Sequence, residues 1–178
     1  MEGIGNRLEC FVDCSFFTIF ARNEKQIPLG LDIPNKRIHD MDVEKISARL
    51  EKEDGLSRTL GMQFISTPEP DTLMAKMAVD DRNKQIFGFL SGGATLALAE
   101  NVAGVGSNGI CPGKMALGIN VSGSHVKAMP YGGTVTAFGK LVHKGNKLHV
   151  WQVDVKNDNG EIISTVQVTN YVIDPKKK

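Results

Sequence analysis

Glu100 is the single charged residue between Phe87 and Val105, a stretch otherwise made of apolar, small and uncharged polar residues. From Ala94 to Val105 the pattern predicts a helix that is apolar nearly all round, and such a helix is ordinarily buried. A carboxylate is seldom buried without a partner, because an isolated charge out of water is very costly. Gly92 and Gly93 stand just before this helix, where free backbone N–H groups point outward and the dipole favours negative charge. An acid two turns from a glycine-opened helix start suggests chemistry done by its carboxylate. The alternative is a structural glutamate held by a loop or an arginine, and spacing leaves the two open.

Other residue types that could do chemistry are less well placed. Gly104-Val-Gly-Ser-Asn-Gly109 has the G-x-G-x-x-G form, but it follows a helix, and no acid stands about 20 residues on to hold a ribose. A dinucleotide site is rejected. His39, His125, His143 and His149 show no metal-ligand spacing, so no metal and no cofactor is expected. Cys111 precedes Pro112 in a glycine-rich turn without a nearby histidine, and reads as a free structural thiol. Trp151 and Phe138 read as core residues.

These residues must be positioned by a chain of 178 residues, enough for one domain with a real core. A formal charge of +1 advertises neither a nucleic-acid nor a membrane-surface role. The three cysteines form no repeated pairing pattern, which argues against a disulfide framework or zinc cage and fits a reducing cytoplasm. Residues 1–40 differ from the remainder: Phe11, Phe16, Phe17 and Phe20 crowd one short run, interrupted by Asp13 and followed by Arg22-Asn-Glu-Lys25. That run lacks the unbroken apolar core of a signal peptide and is too short to span a bilayer. It is read as an extension of unclear role, a packing strand, or sequence upstream of a start at Met41. The domain proper is 41–178.

Asp42 is the expected N-cap of a helix over Val43–Lys52, with Ile46 and Leu50 on one face and Gly55 as its stop. Gly61–Ser66 and Leu73–Val79 read as a strand hairpin across Pro68 and Pro70. After the apolar helix, strands are expected at Met115–Val121, His125–Ala128, Thr134–Val142, Leu148–Val155 and Glu161–Ile173. Helix, two strands, one long apolar helix, then a run of strands implies α+β with an antiparallel sheet. A curved sheet wrapped around a central helix is the natural packing.

Gln85-Ile-Phe-Gly-Phe-Leu-Ser-Gly-Gly-Ala94 followed by Ala97-Leu-Ala-Glu100 resembles the signature of hotdog-fold acyl-CoA thioesterases, nearest to the phenylacetate-type and the 4-hydroxybenzoyl-CoA and 1,4-dihydroxy-2-naphthoyl-CoA branches. The resemblance runs from about Leu60 to Ile173 and takes in Gly118–His125 and Val150–Val155. It implies hydrolysis of an acyl-CoA to free acid and CoA. Glu100 would be the nucleophile or general base, and the Gly92 N–H would polarise the thioester carbonyl. Gln85 would supply a loop amide to the thioester or to water. It also implies that carboxylate and Gly–Gln group come from opposite subunits, so that the protein is at least a homodimer, with a homotetramer built as a dimer of dimers left open. His125 and Lys127 are candidates for the CoA phosphates, the alternative being solvated strand residues. Phe87, Phe89 and Met115 are candidates for the acyl pocket.

Two departures stand out. Ser91 occupies the place where the family has histidine, keeping a hydroxyl but losing the ring and its charge. Gly104 stands where some relatives carry a serine that can orient water. Ser91 keeps open a second reading, a non-catalytic acyl-CoA-binding sensor, although residues 1–40 show no helix-turn-helix output module. A hotdog dehydratase or hydratase needs a histidine paired with an acid, and this helix offers none.

Overall fold

The computed structural model describes residues 43–52 and 55–175; residues 1–40 and the cap expected at Asp42 lie outside the described residues. Helix α1 spans Val43–Lys52, with Val43 and Ser47 buried and Ile46 and Leu50 half-buried. A single extra turn follows, α2 (Leu56–Thr59), whose Ser57 hydroxyl donates to Asn101 Oδ1 at 2.7 Å. Nothing in the sequence marks this turn, because four residues are too few to show a helical period.

Strands β1 (Gln63–Ile65) and β2 (Thr72–Ala78) form the expected antiparallel hairpin. The long helix α3 covers Gly92–Ile110, followed by β3 (Met115–His125), β4 (Thr134–Lys144), β5 (Leu148–Lys156) and β6 (Ile162–Ile173). All pairings are antiparallel, in the order β1-β2-β4-β5-β6-β3. One expected strand is corrected. His125–Ala128 is not a strand of its own, since β3 runs unbroken to His125 and leaves the ladder there. Gly123 and Ser124, which look like turn punctuation, pair in register with Val166 and Thr165. The irregularity falls earlier, between Gly118 and Asn120, where Ile119 is the extra residue of a bulge.

The α3 helix packs against one face of this curved sheet, meeting β2 through β6. Leu98, Ala99, Val102 and Ala103 are fully buried against Val135, Ala137, Trp151 and Val153. Burial of each large apolar side chain contributes about 1.5–3 kcal/mol. Approach is close where glycine permits it. The indole of Trp151 occupies the space a Cβ at Gly106 would need, and a methyl at Gly139 would come within 2.6 Å of Val102 Cγ1. Trp151 Nε1 donates to Ser107 Oγ at 2.8 Å, and Asn170 Nδ2 donates to the Ala103 carbonyl and to Ser107 Oγ, both at 2.9 Å. The glycine-rich run 104–109 is thus a helix packed on a sheet, not a phosphate loop. This is the hotdog arrangement.

The period-2 alternation of β5 turns His149, Trp151, Val153 and Val155 inward. The same rule corrects Phe138. Its neighbours Ala137 and Gly139 face the core, so its ring lies on the opposite face, 40% exposed, with the Lys156 ammonium 5.1 Å from its centroid. No helix among the described residues is long and apolar enough to cross a membrane.

His149 is 2% exposed, and its Nδ1 has no hydrogen-bond partner among the described residues. Burial, and then the positive charge of Lys144, hold its imidazole below the ordinary histidine range. The unfolded chain therefore takes up a proton near pH 6.5 that the folded chain refuses. Stability contributed by neutral His149 is fully present above about pH 6.5 and is lost as pH falls toward the lower folded pKa. Melting temperature measured from pH 8 to pH 5 should decline below about 6.5, and His149→Leu should flatten that decline. Each unit of depression corresponds to about 1.4 kcal/mol, or about 3–6 °C in a chain of this size. An unchanged slope in the variant would place the acid sensitivity elsewhere.

Candidate active site

The loop between β2 and α3 is built on Asn83. Its Nδ2 donates to the Ala78 carbonyl at 2.7 Å, its Oδ1 accepts from Asp80 N at 3.0 Å, and its carbonyl accepts from Ser91 N at 2.9 Å. Between these anchors the chain makes a small hairpin. Gly88, at φ 78°, closes the turn Gln85–Gly88 by donating to the Gln85 carbonyl, and a side chain there would be strained. Leu90 N donates to Met129 O and Tyr131 N to Gly88 O, which hold the hairpin against the segment after β3. Gln85 is thereby presented at the surface, its Nε2 reaching only a long 3.5 Å contact with Leu90 O.

Ser91 is the N-cap of α3 in an extended conformation, and its hydroxyl makes no capping hydrogen bond. The first N–H groups of the helix are therefore not capped by that side chain. Gly92 is the residue most tightly defined by its surroundings. A Cβ there would lie 2.7 Å from His125 Nε2, so only glycine lets the imidazole rest against the helix start. The other ring nitrogen of His125 shares a 2.8 Å hydrogen bond with Ser164 Oγ across the β3–β6 pair, which fixes the ring plane. Lys127 forms a 2.5 Å ion pair with Glu161, and this ammonium, followed by the Asn157 amide, holds the Glu161 carboxyl below its usual range. Gln85, Phe89, Gly92, His125 and Lys127 line one cavity of about 330 Å³.

Glu100 lies elsewhere. It is half-buried, and its carboxylate sits directly over the Cα of Gly118 in β3, where any side chain would collide with it. Among the described residues it has neither a hydrogen bond nor an ion pair. It opens onto a cavity of about 720 Å³ between α1, α3 and the start of β3, whose walls include Ile46, Leu50, Val105 and Leu117. The expectation that α3 is buried all round holds only for its sheet side; Glu100 lies on the flank this cavity leaves open.

Of the residues singled out in the sequence, five converge on the smaller cavity and Glu100 on the larger. Phe87, 74% exposed at the hairpin tip, and Met115, 44% exposed at the start of β3, line neither cavity. The turn carries Phe87, and the pleat carries Met115, to the surface of the single chain. Ser164 and the α1 residues Ile46 and Leu50 were missing from the expected site. Ser164 had no sequence signal, since it meets His125 only through strand register. Ile46 and Leu50 announced an apolar face, but not what it covers.

A model of the thioesterase superfamily matches residues 87–164. A Deinococcus radiodurans protein designated an esterase is 36% identical over 138 residues, 73% of this chain and 85% of that protein. The 1,4-dihydroxy-2-naphthoyl-CoA hydrolase of Escherichia coli is 33% identical over 104 residues, 58% of this chain and 76% of that enzyme. Among solved structures, a thioesterase from Haemophilus influenzae superposes with a TM-score of 0.69 at 27% identity, covering 74% of this chain and 90% of that one.

Proposed function

The chain belongs to the thioesterase superfamily, and from that premise we propose that it hydrolyses an acyl-CoA thioester to the free acid and CoA. The observation that carries this reading is the Glu100 carboxylate, unpartnered among the described residues at a cavity walled in part by Ile46, Leu50, Val105 and Leu117. Acting as general base, Glu100 takes a proton from water as the oxygen adds to the thioester carbonyl. Negative charge then collects on the carbonyl oxygen, where the Gly92 N–H at the start of α3 and the Gln85 amide donate to it. Collapse breaks the C–S bond, and the departing thiolate takes up the proton. Acting as nucleophile, Glu100 would itself add to the carbonyl and expel the thiolate, leaving an anhydride for water to cleave. His125, locked against Gly92 by Ser164, faces the same carbonyl, with Lys127 beside it toward the CoA moiety.

One chain cannot complete this site alone. Gly92 and Glu100 are eight residues apart on α3, a rise of about 12 Å, whereas a reacting carbonyl must lie about 3 Å from both. The two groups also line separate cavities. A second copy supplying the complementary half resolves this. β3 supports such pairing, since it is an 11-residue edge strand with Met115, Leu117 and Ile119 exposed.

Release of free thiol from a panel of alkyl- and aryl-CoA thioesters tests the activity. Tight binding without thiol release would favour the acyl-CoA sensor reading, which Ser91 keeps in play. Ser91→His restores an imidazole beside Gly92, and kcat should hold at or rise above that of the native protein. A tenfold fall, about 1.4 kcal/mol in barrier, would mean that serine is a working part of a pocket already occupied by the His125 ring.

A further inference from the structure

Among the described residues, Glu100 is the one ionisable side chain lining the cavity beside it. Ile46 and Leu50 from α1, Val105 from α3 and Leu117 from β3 are hydrocarbon walls. The two amides on its surface are committed. Asn101 donates to Ala97 O and accepts from Ser57 Oγ, while Asn108 donates to Gly104 O and Ala116 O and accepts from Ala116 N. Neither has a strong claim on a polar substrate group. Gly104 lies one helical turn beyond Glu100 on the same wall, and a Cβ there would meet nothing within 4 Å. A carbonyl held at Glu100 thus lies beside about 720 Å³ of space, bordered by these hydrocarbon side chains and by Gly104.

We propose that this cavity takes the acyl group, that the preferred substrates carry a medium-length apolar acyl chain, and that Gly104, with Leu50 opposite, sets how far that chain reaches. This rests on the hydrolase reading for its chemistry but not for its binding preference. Short acyl groups would leave the hydrocarbon walls uncovered, and polar ones would find both described amides already engaged. Each further methylene that enters should raise kcat/KM about fourfold, the equivalent of about 0.8 kcal/mol.

The test compares butyryl-, hexanoyl- and octanoyl-CoA on the full chain, by thiol release and by calorimetric binding. In the native protein kcat/KM should climb from butyryl to octanoyl. Gly104→Leu fills the open space and should cut the octanoyl-to-butyryl ratio at least tenfold, with Gly104→Ala moving it the same way by less. Leu50→Ala should shift the optimum to longer chains. A flat or falling profile in the native protein, or an unchanged ratio in a folded Gly104→Leu, overturns the proposal. Absence of turnover with the same preference in binding upholds the cavity assignment and removes the hydrolase reading instead. Should Gly104→Leu melt early, the ratio in Gly104→Ala and Leu50→Ala decides the matter.

Discussion

Glu100→Gln should abolish thiol release while leaving the fold intact. Glutamine matches the shape of glutamate and keeps an acceptor, but it can neither take a proton from water nor attack a carbonyl. Loss of a general base lowers the rate on the order of 10²–10⁴-fold, and loss of a nucleophile lowers it further. The structural half of the expectation follows from the surroundings of the residue. No described residue pairs with the Glu100 carboxylate, and it faces Gly118 and the hydrocarbon walls of a cavity. Neutralising a charge in that setting breaks no bond to a described residue. Melting temperature should hold or rise as activity falls. A variant that unfolds would make Glu100 a structural group, and one that is folded and fully active would remove the hydrolase reading.

The parts of the molecule that were legible in the sequence are those set by local periodicity. Residues 94–105 announce a helix because almost every side chain is apolar, and Leu148–Val155 announces a strand because its inward residues alternate. Glycine before a helix carrying one acid marks Gly92 and Glu100 without any tertiary information. What could not be read depends on partners distant in sequence. Gly123-Ser124 looks like a turn, yet β6 supplies a register for it, and the same register delivers Ser164 to His125. Phe138 carries the composition of a core residue, and only the smaller Ala137 and Gly139 on either side reveal that the other face is covered. Phe87 and Met115 are exposed in the single chain for a related reason. Aromatic or thioether character near a motif says nothing about which way the pleat or turn directs the side chain. The α1 face of Ile46 and Leu50 was visible, but its role beside Glu100 depends on how α1 packs across 50 residues of intervening chain.

Mixing two inactive variants should restore activity, which is the expected consequence of a site divided between copies. Glu100→Gln removes the carboxylate half, and Gln85→Ala removes an amide of the donor half, costing about 10²–10³-fold if it serves the developing oxyanion. The Gln85 side chain is exposed and, among the described residues, makes only the long contact to Leu90 O, so its loss should not unfold the loop that Asn83 anchors. In a mixed dimer of these variants, one site carries both lesions. The other combines an intact Glu100 from one copy with an intact Gln85 from its partner. Random pairing at equal amounts makes half the dimers mixed, each with one working site of two, so about a quarter of native activity should return. Co-expression, or unfolding and refolding the two variants together, provides the exchange, and each variant treated alone serves as the baseline. Were Glu100 and Gln85 to act within one chain, every site in the mixture would carry a lesion, and activity would stay at the average of the two parents. The roughly 12 Å rise between Gly92 and Glu100 on a single helix argues against that outcome.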